Sequence, residues 1–339
     1  MPSMMPHQGP RPGPIDTSLA TIPTGYFGGS GGEGTGASTV RSPSSIKELA
    51  QQRVVVVEKW EGPCWDECLA NSSSTPPLPC NPACGEEMYQ LDTLRRIKAI
   101  NPNVSGVFYL NSLYDFPYYN LTATFAAGDL HVRDITNKVV GLQNDNGMRH
   151  IPIFDFSKPA AVELFLDFHR QLIATGLVDG TFADKPNERA FQMNGSWWIC
   201  ENPNGPPRRH SWADACGEIS EATAKAYNAG KARMLTELVK LYGDKGALWP
   251  VCSDGVGQCG SICSRRAPCT LNFGGKTHEE KHEELVSTLQ NYSYIYFMQG
   301  DSHGTSMTCS CTPNDIIHFL LVRATNLANS TLITCDLSL

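Results

Sequence analysis

The sequence predicts an α/β fold, a (β/α)8 TIM-type barrel with disulfide-rich loop insertions, and three observations carry that expectation. Apolar, β-branched runs alternate with amphipathic stretches from residue 53 onward. The 339 residues are enough for a flexible leader and a barrel of ~250 residues with insertions. No Gly-x-Gly-x-x-Gly follows the first apolar run, so an open dinucleotide-binding sheet has no support.

The elements follow in order. Residues 1–48 carry PHQGPRPGP, GGSGGEGTGAS and RSPSS, a Pro/Gly/Ser-rich composition with few aliphatics, which predicts a disordered leader ahead of a single barrel-like catalytic domain over 49–339. Arg53 to Glu58 reads as a strand buried on both faces. Met88, Leu91, Leu94 and Ile97 share one helical face. Further strands are expected at 104–110, 151–156, 178–184, 247–252, 292–299 and 331–337, making seven. The stretch between residues 111 and 150 reads as mostly loop. Helices are expected after Ser157, from about Ile219 to Tyr242, from the capping box at Thr277, and after Thr312-Pro313. Helices between successive strands require parallel pairing.

Composition narrows the function. A net charge of -7 argues against a nucleic-acid partner or an anionic membrane surface. No run of ~18 apolar residues offers a membrane span. Thirteen cysteines cluster in Gly/Pro/Ser-rich loops, which suits disulfides in a secreted or lumenal glycoprotein. Cys64, Cys68, Cys80 and Cys84 are expected to pair among themselves, and so are the cysteines of 252–269. Zinc is the competing reading, since Cys64-x3-Cys68 and Cys80-x3-Cys84 have ligand-like spacing. The surrounding Pro and Ser, and sequons at Asn71, Asn103, Asn120, Asn194, Asn291 and Asn329, favour disulfides, so no metal and no cofactor are expected. The start, MPSMMPHQGPRPGP, has no apolar h-region, and an export signal is expected upstream of it.

Acidic residues fall repeatedly at strand C-termini, where barrel enzymes do their chemistry: Glu58, Asp155, Asp184, Asp254 and Asp301. Hydrolysis of a glycosidic bond needs two carboxylates flanking it. The bland reading of an Asp after a strand is a turn or a helix cap. Asp155 fits it, because Ser157 begins a helix two residues on, and so does Asp254 beside Gly255. Asp184 resists it, because Lys185-Pro186 follows. Trp60, Tyr109, Trp197 and Trp198 stand at strand ends or in loops where sugar rings could stack, and Glu58 and Asp155 are candidate substrate contacts. Gly-x-Ser-x-Gly, a P-loop and His-Glu-x-x-His are all absent.

The segment Val178-Asp-Gly-Thr-Phe-Ala-Asp184 resembles the fourth-strand motif of amylase-like and melibiase-like barrels. Asn101 to Asn111, Phe154-Asp-Phe-Ser157 and the Asp179-Gly180 pair are similar to glycoside hydrolases of TIM-barrel type. The resemblance spans about residues 53–190. It implies hydrolysis of O-glycosidic bonds in a carbohydrate substrate, with Asp184 as nucleophile. Phe182 departs from the amylase pattern, which has an Arg there, so amylase-type α-glucan chemistry is not implied. No motif identifies the general acid, and Asp254 and Asp301 are candidates by position. The rival reading is a secreted barrel that binds carbohydrate without cleaving it.

Overall fold

A computed structural model describes residues 40–59, 61–64, 67, 84–142, 151–185, 189–199 and 216–243. It also describes the backbone of short strands at 24–28 and between 247 and 334. In chain order the first elements are β1 (Thr24–Gly28), α1 (Pro43–Leu49), β2 (Val54–Val57), α2 (Glu86–Ile100), β3 (Ser105–Asn111), α3 (Asn120–Ala127), β4 (Gly141–Leu142) and β5 (Ile151–Pro152). Then come α4 (Pro159–Ala174), β6 (Gly180–Asp184), β7 (Ala190–Met193), β8 (Ser196–Ile199), β9 (Gly217–Ile219) and α5 (Glu221–Tyr242). The last are β10 (Ala247–Leu248), β11 (Cys269–Leu271), β12 (Tyr294–Phe297), β13 (Gln299–Gly300), β14 (Met307–Thr308) and β15 (Thr331–Thr334).

The fold is mixed α/β. Eight strands form one sheet in the order β10-β6-β3-β2-β1-β15-β12-β11, and every pair in it is parallel. Strands consecutive in sequence within the sheet are neighbours except β10 and β11, which stand at its two ends, and the last, β15, returns to pair with the first.

Local sequence explains the elements near the site. The four valines of β2 are all buried, which suits a strand covered on both faces. In α4, Pro159 opens the helix, and Val162, Phe165, Leu166, His169 and Leu172 form its buried stripe. In α5, the Ser220 side chain caps the first turn by accepting from Thr223 N–H, and Gly243 at φ 69° stands at its end. Cys64 and Cys84 form a disulfide across the loop between β2 and α2, and Cys216 is also disulfide-bonded.

Two regions add detail that the sequence pattern does not carry. Residues 1–48 are not all outside the fold. β1 pairs with both β2 and β15, while α1 buries Ile46 and Leu49. TGYFG lacks the aliphatic run that marks a strand, and pairing on both edges supplies what the composition does not. The run 151–156 is not a member of the parallel sheet either. Ile151–Pro152 pairs antiparallel with Gly141–Leu142, and bridges continue from Ile153 to Tyr114 and from Phe154 to His131. Its apolar residues serve a different contact: Phe154 meets Phe125 of α3 and Phe165 of α4 edge-on, and Phe156 also meets Phe165. The region between 111 and 150, expected as mostly loop, contributes α3 and β4 to this layer. The helices expected after Thr277 and Thr312 lie outside the described residues.

Candidate active site

Side chains alternate between the two faces of the sheet. Val55, Val57, Phe108, Leu110 and Ala183 belong to the large core on the helix side. Val54, Val56, Val107, Tyr109 and Phe182 form a separate small cluster on the opposite face. Val56 is paired with Val107, Tyr109 with Phe182, and Asn111 with Asp184. By the same alternation Glu58, Asn111 and Asp184 continue the small-cluster face past its apolar layer. They stand at the C-terminal ends of β2, β3 and β6.

Asp184 is held from several directions. Its Oδ2 accepts from the Tyr109 hydroxyl at 2.5 Å and from Asn111 Nδ2 at 3.0 Å. Its Oδ1 accepts from the Lys185 N–H at 2.9 Å. Ser112 donates to the Asp184 carbonyl from both N–H (2.7 Å) and hydroxyl (2.6 Å). The turn that follows puts Lys185 at φ 58°, a left-handed conformation uncommon for a side chain of this size. Lys231, fully buried on α5, donates from Nζ to the Lys185 carbonyl at 2.7 Å.

Tyr109 is 1% exposed. Its ring stacks on Phe182, with centroids 5.8 Å apart, and Lys59 Nζ lies 4.6 Å from its centroid. Its ring is thus engaged by Phe182 and by the Lys59 ammonium. Burial pushes its hydroxyl well above the ordinary tyrosine range, and the negative charges of Asp184 and Glu58 push it further. It thus stays a neutral donor. Glu58 is also buried, with Lys59 Nζ donating to its Oε1 at 2.8 Å.

The structure gathers Glu58, Tyr109 and Asp184, and adds Asn111 and Ser112, which the sequence reading missed. The available signal was parity: Asn111 lies two residues beyond Tyr109 on the same strand face. Asp155 has different partners. Its Oδ1 accepts from Ser157 N–H (3.1 Å) and hydroxyl (2.5 Å), and Lys158 Nζ stands 3.4 Å from Oδ2. It closes the turn into α4, the bland reading of an acid at that place. Trp197 and Trp198 are half-buried on β8, the middle strand of the antiparallel sheet β7-β8-β9, and Trp197 packs against the large core. Trp60, Asp254 and Asp301 lie outside the described residues. Among the described residues no three His, Cys, Asp or Glu side chains are grouped to hold a metal ion. No described helix is long and apolar enough to cross a membrane.

No family model and no curated protein matches the chain. Among solved structures it is similar to an alpha-galactosidase from Thermus thermophilus, in complex with p-nitrophenyl alpha-D-galactopyranoside, at 11% identity and TM-score 0.44. That match covers 93% of this chain and 58% of the other. It is similar to a xylosidase from Aspergillus niger at 12% identity and TM-score 0.46, over 97% of this chain and 45% of that one. It is also similar to the glycoside hydrolase domain of PelA from Pseudomonas aeruginosa at 12% identity and TM-score 0.35, over 89% and 79%. All three are glycoside hydrolases, and the chain spans about half the length of the first two.

Proposed function

We propose that this chain hydrolyses O-glycosidic bonds in a glycan, with Asp184 as the nucleophile or base. One observation carries the reading. A half-buried carboxylate at the C-terminal end of a parallel strand accepts three hydrogen bonds, on the sheet face away from the helices. Three donors to one carboxylate fix its orientation. A charged, oriented carboxylate is what an oxocarbenium-like transition state needs beside it.

The strand order supports a barrel closed between β10 and β11. In an open sheet of this order, the connection from β10 to β11 would cross six intervening strands. In a closed barrel it joins neighbours, as the short right-handed connections of such folds do. Asp254, just beyond β10, and Asp301, just beyond β13, are the proposed sources of the general acid. The bonded Cys64 and Cys84 support an oxidising, secreted or lumenal setting.

The test is Asp184→Asn against a panel of 4-nitrophenyl α- and β-glycosides and polysaccharides. The wild type should cleave at least one. The variant, which keeps the shape and loses the charge, should lose roughly 10³-fold or more in kcat, since several kcal/mol of barrier are at stake. Normal turnover by the variant would sink the assignment. Binding of a glycan by the wild type without any cleavage would favour the non-catalytic barrel instead.

A further inference from the structure

We propose that Tyr109 and Asn111 are positioning residues that lock one oxygen of Asp184, Oδ2, and leave Oδ1 as the oxygen offered to substrate; this rests on the reading of Asp184 as the reacting carboxylate.

The Asn111 amide has its orientation dictated by the backbone. Its Oδ1 accepts from the N–H groups of Leu113 at 2.8 Å and Tyr114 at 2.7 Å. The oxygen of the amide is thereby committed to the loop, and the NH₂ must face Asp184 as a donor. The Tyr109 hydroxyl reaches the same Oδ2 from the next inward position of β3, two residues earlier. Its ring is immobilised between Phe182 and the Lys59 ammonium, so the donor has little freedom to swing away. Both side-chain donors therefore converge on Oδ2 from a single strand. Oδ1 receives only the N–H of Lys185, at 2.9 Å among the described residues, and a carboxylate oxygen can accept more than one bond. The two oxygens are made inequivalent, and the carboxylate cannot rotate without breaking two hydrogen bonds at once.

The alternative is that these residues merely hold the loop after β3. Two variants separate the roles. Asn111→Asp keeps an oxygen for the Leu113 and Tyr114 N–H groups but turns the donor facing Asp184 into a second carboxyl. Tyr109→Phe keeps the ring contacts with Phe182 and Lys59 and removes only the hydroxyl. Each is assayed on whichever 4-nitrophenyl glycoside the wild type turns over, and each is crystallised. Tyr109→Phe should lower kcat by roughly 10²-fold, the cost of a small misplacement, with KM within about threefold. Asn111→Asp should lose at least as much. Its kcat should also become pH-dependent where that of the wild type is flat, because adjacent carboxyls share a proton. Both crystal structures should show the Asp184 carboxyl rotated or in more than one rotamer. Wild-type kcat and pH profile in both variants, or an unmoved Asp184 in both structures, would overturn the proposal. If the wild type cleaves no glycoside, the functional reading fails, and the crystal structures still decide whether these two residues hold Asp184.

Discussion

Gly230 on α5 lies so close to Phe156 that a Cβ at residue 230 would stand 1.8 Å from the Phe156 carbonyl oxygen. The clash is with backbone, which cannot rotate aside. Glycine therefore sets how closely α5 approaches the segment before α4, and the neighbouring Lys231 reaches the carbonyl of Lys185 beside Asp184. Gly230→Ala should destabilise the protein by about 3 kcal/mol or more, at the upper end of overpacking costs. It should also lower activity by shifting the Asp184 turn. Chemical denaturation checks the first and kcat the second; wild-type stability would show that α5 moves away freely.

Residues 24–49 should prove indispensable. Arg41 Nε donates to Glu61 Oε1 at 2.7 Å, with side chains 6% and 0% exposed, and Thr93 donates to the same oxygen. Removing one partner of a buried ion pair costs roughly 3–5 kcal/mol. Arg41→Met should lose about that much in urea unfolding. Deleting residues 1–48, which also removes β1 from between β2 and β15, should abolish cooperative folding. A truncated protein that melts like the full chain would refute this.

Glu86 should make the protein less stable as pH rises. Burial, reinforced by the charges of Glu61 and Glu87, lifts its carboxyl from 4.5 to about 9, although the Glu61 N–H donates to it at 2.8 Å. The folded state thus binds a proton that the unfolded state releases, between about pH 4.5 and 9. The associated stability is fully present below that window and lost across it. Glu86→Gln keeps the acceptor and cannot ionise. Its stability relative to wild type should climb by roughly a few kcal/mol between pH 5 and 9, read from urea midpoints. Parallel curves would exclude it.

His169 should act in the opposite direction. It is fully buried, its Nδ1 lies 2.9 Å from the Tyr242 hydroxyl, and burial lowers its pKa from 6.5 to about 3. The unfolded state takes up the proton first, so stability falls as pH drops from about 6.5 towards 3. His169→Gln should be less stable than wild type at pH 7.5, yet lose less on acidification. Between about pH 4.5 and 6.5 the Glu86 and His169 effects oppose each other, so wild-type stability should be flattest there. Melting temperatures of both variants against pH test the pair.

Much of this was legible without coordinates, and what was legible is local. The valine run of β2, the apolar stripe of α4 and the turn chemistry of Asp155 depend on residues within one or two helical turns of each other. Asp184 at the end of an apolar strand, followed by Lys-Pro, was visible for the same reason. The sequence by itself therefore determined a strand–helix alternation and one strong candidate carboxylate. Tertiary structure alone decided that TGYFG is an interior strand, that Ile151–Pro152 leaves the parallel sheet, and that Tyr109 turns its hydroxyl to Asp184 and its faces to Phe182 and Lys59. Each of these depends on which strands become neighbours and in what register. The Asn111–Asp184 contact joins residues 73 positions apart, and no periodicity within either strand encodes a partner on another.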